Sequence, residues 1–267
     1  MSISIITINR NNASGLRATI DSVLTQTSQD FEYIIVDGAS SDDSVGLIKS
    51  AAEKRKIIWK SEPDSGIYNA MNKGARLASG SFLLYLNSGD TLANPNVIDS
   101  LYTNNSNSDI VVGRINFTDA NGLTHKDYQQ AGNCESLYSF LGTMIPHQAT
   151  LIKRDTFLAI GPYEEKYRIV ADWQYCLKAV LAGCSVQFIP ITIANFDNTG
   201  ISSTENSKMM KEIAAAQTAT LPVCINNDYH WVAEHKGDLE RINWLSKHKG
   251  FYKIFKALVA FGKRISR

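Results

Sequence analysis

The sequence predicts an α/β fold in which a mostly parallel sheet is flanked by helices and followed by a helical C-terminal extension. Short β-branched runs alternate with segments of helical spacing through the first hundred residues. Strand–helix–strand units at this spacing give parallel sheets covered on both faces. Beyond about residue 203 the pattern becomes helical, with breaks expected at Pro222 and Gly250.

The first hundred residues contain four predicted strands and three predicted helices. The strands are expected at 3–8, 33–36, 57–59 and 82–86, and the helices at 14–24, 42–52 and 67–78. Ser41 or Asp42 is the expected cap of the second helix. Further along, strands are expected at 110–117, 149–152 and 186–193, with a turn at 119–122 and a helix at 172–182.

The composition is that of an ordinary globular protein, with 44% hydrophobic and 20% charged residues in 267. This excludes extended disorder and collagen-like repeats. The four cysteines are widely spread and form no CxxC pair, so neither a zinc site nor a disulfide framework is expected. The start lacks the features of a secretory signal, and no apolar run is long enough to span a membrane. A cytoplasmic location is therefore expected.

The net charge of +1 hides an uneven distribution. Residues 241–267 carry eight basic and no acidic side chains, which leaves 19 basic against 26 acidic residues in 1–240. Apolar residues recur at helical spacing within this basic tail, at Ile254, Phe255, Leu258, Phe261 and Ile265. The pattern is typical of a helix that lies on an anionic membrane surface. The alternative is a helix that packs on the protein or on a dimer partner.

Polar segments follow the first four predicted strands, at 9–11, 37–43, 62–65 and 87–90, and three of them carry carboxylates. In open α/β sheets, ligands bind beyond the carboxyl ends of the strands. Each segment alone could be a polar turn or a helix cap, but their recurrence at one sheet edge favours a binding site.

Seven motifs occur in order across about residues 2–205. They are IITINRN, IIVDGASSDDS, SEPDSGIYNAMNKGARLASG, LLYLNSGD, PHQATLIKRDTF, YRIVADWQYCLKAV and FDNTGISS. Together they resemble the family 2 glycosyltransferases of the Rossmann-like GT-A fold, and EPDSGIYNAMNKG resembles enzymes of bacterial exopolysaccharide, colanic-acid and O-antigen synthesis. The resemblance implies a catalytic domain at 1–205, with a nucleotide-binding half (1–100) and an acceptor-binding half (101–205). Residues 206–267 are left as the extension.

The resemblance also implies an activity: inverting transfer of a sugar from a UDP-sugar donor to a hydroxyl of a lipid-linked oligosaccharide. The enzyme would then work at the inner face of the cell membrane. Asp37 and Asp64 are expected to read uridine and ribose, although Asp37 could instead begin a turn over Gly38. The full set expected to bind the nucleotide sugar is Thr7, Asn9, Asp37, Asp64, Asn69, Lys73, Asn87, Ser88 and Arg168.

Asp90 is the candidate metal ligand. The family commonly has an Asp-rich cluster after this strand, whereas this chain reads Asn87-Ser88-Gly89-Asp90 and keeps only the last acidic position. One carboxylate together with the donor diphosphate suffices for Mg²⁺ or Mn²⁺. The alternative is a turn aspartate without a metal.

Asp172 is the candidate base, because attack by a hydroxyl requires a group that accepts its proton. The family typically has Glu-Asp here, and this chain has Ala171-Asp172; a simple helix cap is the alternative. His147 is expected to touch the acceptor or the diphosphate. Trp173 is expected to stack on the acceptor sugar or else to fill the core.

Two other functions stay open, a nucleotidyltransferase and a non-catalytic sugar-nucleotide-binding protein. The sequence contains no GxxxxGK[ST], GxGxxG or GxSxG motif, which disfavours kinase, dehydrogenase and hydrolase chemistry. We expect no nucleic-acid partner. A homodimer stays an open alternative.

Overall fold

The structure is a computed structural model that describes residues 1–118, 124–128, 136–142, 145–197, 205–248, 250–251, 253–254 and 256. Its strands are β1 (Ile3–Asn9), β2 (Glu32–Asp37), β3 (Ile58–Ser61), β4 (Phe82–Tyr85), β5 (Thr91–Leu92), β6 (Ile110–Thr118), β7 (Thr124–Tyr128), β8 (Thr150–Lys153) and β9 (Val186–Asp197). Its helices are α1 (Ala13–Leu24), α2 (Ser44–Lys54), α3 (Ile67–Leu77), α4 (Val97–Asn104), α5 (Leu137–Leu141), α6 (Arg154–Ile160), α7 (Ala171–Leu181), α8 (Asn206–Thr220) and α9 (Val223–Lys247).

The described strands form one sheet in the order β3-β2-β1-β4-β8-β6-β9-β5, with β7 paired to β6. Strands β1 to β4 are mutually parallel, as the alternating pattern predicts. Strand β8 runs antiparallel to both of its neighbours, β4 and β6, so β6 again runs in the direction of β4. The carboxyl ends of β1, β2, β3 and β4 therefore meet at one edge, where the polar segments lie.

Helices cover the two faces of the sheet because side chains alternate along each strand. Ile3 and Ile5 belong to a core shared with α1, α2 and α4. Ile6 points to the other face, where α3 packs so closely that a methyl group on Gly74 would collide with Ile6. Beyond α3, this face carries a cluster of buried aromatic rings from Tyr68, Tyr85, Phe157, Tyr163 and Tyr175.

The first compact unit runs from Met1 to Thr220, fifteen residues beyond the predicted domain end at 205. Helix α8 belongs to it because Glu212 accepts hydrogen bonds from the backbone N–H groups of Arg168 and Ile169. Gln174 also donates to Thr220, at the end of the same helix. The sequence pattern also misses β5, β7, α4, α5 and α6. The predicted turn at 119–122 lies outside the described residues.

The second unit begins at Leu221 and holds α9, which starts just after Pro222 as predicted. Large apolar side chains of this unit are exposed, among them Trp231 and Trp244 on α9 and Phe251 after it. Of the predicted apolar tail residues, only Ile254 is described, and it is exposed. Among the described helices, none is long and apolar enough to cross a membrane.

Candidate active site

The ends of β1, β2 and β3 meet at the carboxylate of Asp37. The sheet register places Asn9 beside Asp37 and Asp37 beside Ser61. Asn9 Nδ2 donates to Asp37 Oδ1 (2.9 Å) and Ser61 Oγ donates to Asp37 Oδ2 (2.7 Å). The N–H and hydroxyl of Ser40 donate to the same carboxylate. Asp37 is thus the centre of a polar cluster that holds three strand ends together.

Asp37 and Thr7 are fully buried at this edge. Neither residue has exposed surface, and the Thr7 hydroxyl pairs with Tyr33 at 3.2 Å. Burial acts to raise the pKa of Asp37, but the hydrogen bonds from Ser40, Ser61 and Asn9 outweigh it and lower that pKa. Both side chains support the sheet edge from beneath, and their direct contact with the nucleotide stays a prediction.

Asp64 reaches the same edge from the loop after β3. Its carboxylate accepts from the backbone N–H of Gly66 (3.1 Å) and lies 3.8 Å from the exposed guanidinium of Arg10. The carboxylate occupies the space that a side chain at residue 38 would fill, so Gly38 gives it room. Ala39 has φ of 55°, an uncommon left-handed conformation that turns the chain away from this space.

Two other predicted binding residues stabilise the loop that carries Asp64. Lys73 Nζ donates to the carbonyl of Pro63 (2.7 Å) and pairs with Glu62 (3.0 Å). Asn69 Nδ2 donates to Glu165 (3.0 Å). Both side chains thus have partners within the chain, and their contact with a nucleotide stays a prediction.

The loop after β4 holds Asn87, Ser88 and Asp90. Asn12, the cap of α1, donates its Nδ2 to the carbonyl of Ser88 (3.1 Å). Thr19 donates its hydroxyl to the backbone carbonyl of Asp90 (2.7 Å), and Asp90 is 4% exposed. Contacts from α1 therefore fix the course of this loop.

Asp172 lies in the first turn of α7 and faces the β4 loop through His147. His147 Nδ1 lies 2.9 Å from Asp172 Oδ2, and His147 Nε2 lies 3.0 Å from Asn87 Nδ2. Tyr68, in the first turn of α3, donates its hydroxyl to Asp172 Oδ1 at 2.8 Å. Two side chains from separate elements therefore hold one carboxylate, whose side chain is 13% exposed.

The hydrogen bonds and the charge of Asp172 affect the imidazole. Burial acts to lower the pKa of His147, but the hydrogen bond and charge of Asp172 outweigh it, with a further contribution from the charge of Asp90. The pKa of His147 is therefore raised above its ordinary value. Asp90 and Asp172 thus act on the same imidazole.

No side chain caps the start of α7, and hydrogen bonds from Tyr68 and Gln174 hold the segment that leads into the helix. The Tyr68 hydroxyl donates to the carbonyl of Ile169 (2.6 Å) as well as to Asp172. Gln174 donates to Glu164 (2.8 Å). The hydrogen bonds from Gln174 and Lys166, together with the nearby lysine charges, lower the pKa of Glu164 to about 2.

Arg168 and Trp173 differ in their exposure to solvent. The Arg168 guanidinium is exposed and lies 3.7 Å from Glu205. Trp173 is 1% exposed. The buried indole ring fills the core, which is the alternative offered by the sequence, and its contact with an acceptor sugar stays a prediction.

The structure thus brings most predicted residues to one edge, and adds some that sequence reasoning missed. Asp37, Asp64, Asn87, Asp90, His147 and Asp172 all lie at or beside the carboxyl ends of β1 to β4 or face them. The missed residues are Tyr68, Ser61 and Ser40. Tyr68 lies inside the EPDSGIYNAMNKG motif, and that was the available signal.

Comparison with known proteins decides the family. The family model described as glycosyl transferase family 2 matches residues 2–159, more than half of the chain. The chain belongs to glycosyl transferase family 2. A glycosyltransferase of Mycobacterium tuberculosis is 34% identical over 204 residues, which cover 75% of this chain and 77% of the relative.

Two further likenesses bear on this family 2 glycosyltransferase. An Escherichia coli protein named UDP-Glc:alpha-D-GlcNAc-diphosphoundecaprenol beta-1,3-glucosyltransferase is 33% identical over 88 residues, covering 33% of this chain and 35% of that protein. The crystal structure of Staphylococcus aureus TarS in complex with UDP-GlcNAc has a TM-score of 0.67 at 16% identity, covering 86% of this chain and 70% of the other. This likeness confirms the predicted GT-A fold.

The donor set at the β4 loop fits a metal only together with a ligand. Among the residues that the structure describes, no three His, Cys, Asp or Glu side chains cluster to hold an ion. Asp90 supplies one hard oxygen donor at the sheet edge, and a diphosphate with water would have to complete the coordination. The site therefore fits a cation that arrives with the nucleotide sugar.

Proposed function

We propose that this family 2 glycosyltransferase moves a sugar from a UDP-sugar to an acceptor hydroxyl with inversion at the anomeric carbon. The observation that carries the proposal is the Asp172 carboxylate, which faces the Asn87–Asp90 loop across a single imidazole. A base on one side and a leaving-group site on the other is the arrangement that direct displacement requires. The proposal is also supported by the UDP-GlcNAc complex of a protein with the same fold.

The proposed transfer takes place in a single displacement step. The acceptor oxygen forms a bond to the anomeric carbon while the bond from that carbon to the phosphate oxygen breaks. The leaving UDP takes the bonding electron pair, and Asp172 takes the acceptor proton. Asp172 is suited to this because it remains partly exposed while Tyr68 and His147 fix its direction.

Asp90 would hold Mn²⁺ or Mg²⁺ together with the donor diphosphate. A bound divalent cation neutralises charge that develops on the departing phosphate oxygens. Asn87 and Ser88 flank the same loop and would orient the diphosphate there. Asp64 would accept a hydrogen bond from the nucleoside.

The acceptor we propose is a lipid-linked oligosaccharide of bacterial surface-polysaccharide synthesis, such as an exopolysaccharide or O-antigen precursor. The name of the E. coli relative supports this choice, since it describes a diphosphoundecaprenol acceptor. Such an acceptor would confine the enzyme to the cytoplasmic face of the membrane.

The basic tail would bring the enzyme to that surface. Each basic residue near an anionic surface contributes about 1 kcal/mol, less at higher salt, and residues 247–267 carry seven. The described part of the tail agrees with this, because Lys253, Ile254 and Lys256 are all exposed.

We expect a chain cut after Ser246 to lose binding to anionic vesicles at low salt while UDP binding is kept, because the residues expected to bind the nucleotide sugar all lie between Thr7 and Arg168. Co-sedimentation with vesicles and calorimetry with UDP measure the two properties. A variant with the tail lysines replaced by glutamine is the matched control, because it keeps the length and helical propensity of the segment. The membrane role is contradicted if the full chain ignores anionic vesicles, or if the cut chain merely loses its fold or a dimer.

The experiment that tests the proposed function is release of UDP from a UDP-sugar by the purified chain. Release of pyrophosphate from a nucleoside triphosphate would instead support a nucleotidyltransferase. Binding without turnover, with and without an acceptor lipid, would support a non-catalytic sugar-nucleotide-binding protein.

A further inference from the structure

The His147 imidazole is the one described side chain that contacts both the candidate base and the loop assigned to the diphosphate. Its two ring nitrogens have partners on separate elements, Asp172 on α7 and Asn87 after β4. The ring itself belongs to the short 3-10 helix His147–Ala149 that precedes β8. A shift of Asn87 would therefore be transmitted to Asp172 through a rigid ring.

The chemistry of the partners sets the direction of each hydrogen bond. A carboxylate only accepts, so His147 Nδ1 carries the proton toward Asp172 Oδ2. In the neutral ring, Nε2 then accepts from Asn87 Nδ2. Asn87 Oδ1 is buried without a partner, and a flip of this amide would place that oxygen on Nε2 of a protonated ring.

The residues around the His147 imidazole offer few other hydrogen-bond partners. His147 and Asp172 line a small cavity whose remaining wall is formed by Ile145, Thr150, Ile152, Tyr163 and Cys176. Among the residues that the structure describes, Asp172 and Asn87 are the two whose side chains hydrogen-bond the ring. Asp90 acts on the ring by its charge.

The two oxygens of the Asp172 carboxylate differ in the number of hydrogen bonds that they accept. Asp172 Oδ1 accepts from the Tyr68 hydroxyl and from the backbone N–H of Trp173, at 2.8 and 2.9 Å. Oδ2 accepts from His147. Of the donors supplied by described residues, two occupy Oδ1 and one occupies Oδ2, so the position left for an acceptor proton is on Oδ2. The direction of that position is set by the His147 bond.

We propose that His147 is a positioning residue that links donor occupancy of the Asn87–Asp90 loop to the orientation of the Asp172 base. The inference rests on the proposed function, which assigns the loop to the diphosphate and Asp172 to the proton. A bound diphosphate reorients the Asn87 amide, the imidazole follows, and Oδ2 turns toward the acceptor site. The base is thus fully oriented only when a donor is present.

The test follows the imidazole directly by NMR, with UDP and Mg²⁺ as the probe. The Nδ1–H resonance of His147 is assigned by its loss in His147→Gln. We expect saturating UDP–Mg²⁺ to shift this resonance in the wild-type chain and not in Asn87→Ala. Asn12→Ala is the matched control, because it removes another amide contact to the same loop and leaves His147 untouched; we expect it to keep the shift.

Kinetics separate positioning from a structural role. Asparagine at 147 can offer an amide near the place of Nδ1, and glutamine can offer one near the place of Nε2. Because each variant keeps one half of the link, we expect both to bind UDP as the wild type does and to lose about 10²-fold in kcat, the scale of a misplaced catalytic group. A purely structural contact to Asp172 would be rescued by His147→Asn.

The outcomes distinguish this inference from the proposed function. UDP that binds without moving the His147 resonance overturns the link alone, as does a shift that persists in Asn87→Ala. Full rescue of kcat by His147→Asn also overturns it. UDP that fails to bind the wild-type chain contradicts the proposed function itself, and the inference with it.

Discussion

Replacement of Asp172 by asparagine is expected to reduce sugar transfer by about 10²-fold or more, with UDP affinity close to that of the wild type. Asparagine keeps the size of aspartate but cannot accept the acceptor proton, and general bases contribute roughly this factor. Steady-state release of UDP, with donor and acceptor saturating, measures the loss in kcat.

The surroundings of Asp172 can accept this change without unfolding. The amide oxygen still accepts from Tyr68 and Trp173 as Oδ1 does in the wild type. The amide N–H then faces His147 Nδ1, and the imidazole can move its proton to Nε2, where Asn87 offers an oxygen after a flip. The variant therefore loses its basicity while the carboxamide stays in place.

Tyr68→Phe is the matched control for this variant. It removes one hydrogen bond to the same carboxylate and retains the base, so its loss in kcat should be much smaller. Weaker UDP binding by Asp172→Asn, with normal turnover at saturation, would assign Asp172 to the donor site and contradict its role as base.

Replacement of Asp90 by alanine is expected to abolish UDP release, because it removes the one carboxylate of the Asn87–Asp90 loop. Excess EDTA should have the same effect on the wild type, and Mn²⁺ or Mg²⁺ in excess of the chelator should restore activity to the wild type only. The physical reason is that charge accumulates on the leaving diphosphate and needs a cation to neutralise it.

The control for this variant is Asp21→Ala, which removes an exposed carboxylate of α1. It should behave as the wild type with and without EDTA. Thermal unfolding of both variants checks that the fold is kept, since Asp90 is buried. Full wild-type activity in excess EDTA would contradict the requirement for a metal, whatever the behaviour of Asp90→Ala.

The parallel half of the fold could be predicted because local signals agree there. The strands are short apolar runs, and segments with helical spacing lie between them. Strand β5 has only two residues and pairs with the distant β9, so no local period marks it. Helix α8 joins the first compact unit through Glu212. Its contacts with the chain before α7 are not encoded in the sequence pattern.

The residues of the candidate site could be predicted from the sequence, but their roles could be predicted only in part. The order of strand ends places Asp37, Asp64 and Asp90 at one edge. Burial, which the sequence does not give, decides that Asp37 and Trp173 face inward. The contact of His147 with Asp172 joins residues 25 positions apart in sequence, and only the packing of β8 beside β4 brings them together.

The most direct test of the central claim is release of nucleoside diphosphate by the wild-type chain across a panel of UDP-, GDP- and dTDP-sugars with Mn²⁺ present. Hydrolysis of the donor in the absence of acceptor suffices, so the acceptor need not be known. We expect at least one UDP-sugar to yield UDP and free sugar, faster with a lipid-linked acceptor, and Asp90→Ala to yield none. Turnover confined to GDP- or dTDP-sugars, or binding of every UDP-sugar with no UDP released even when acceptor is present, would contradict it.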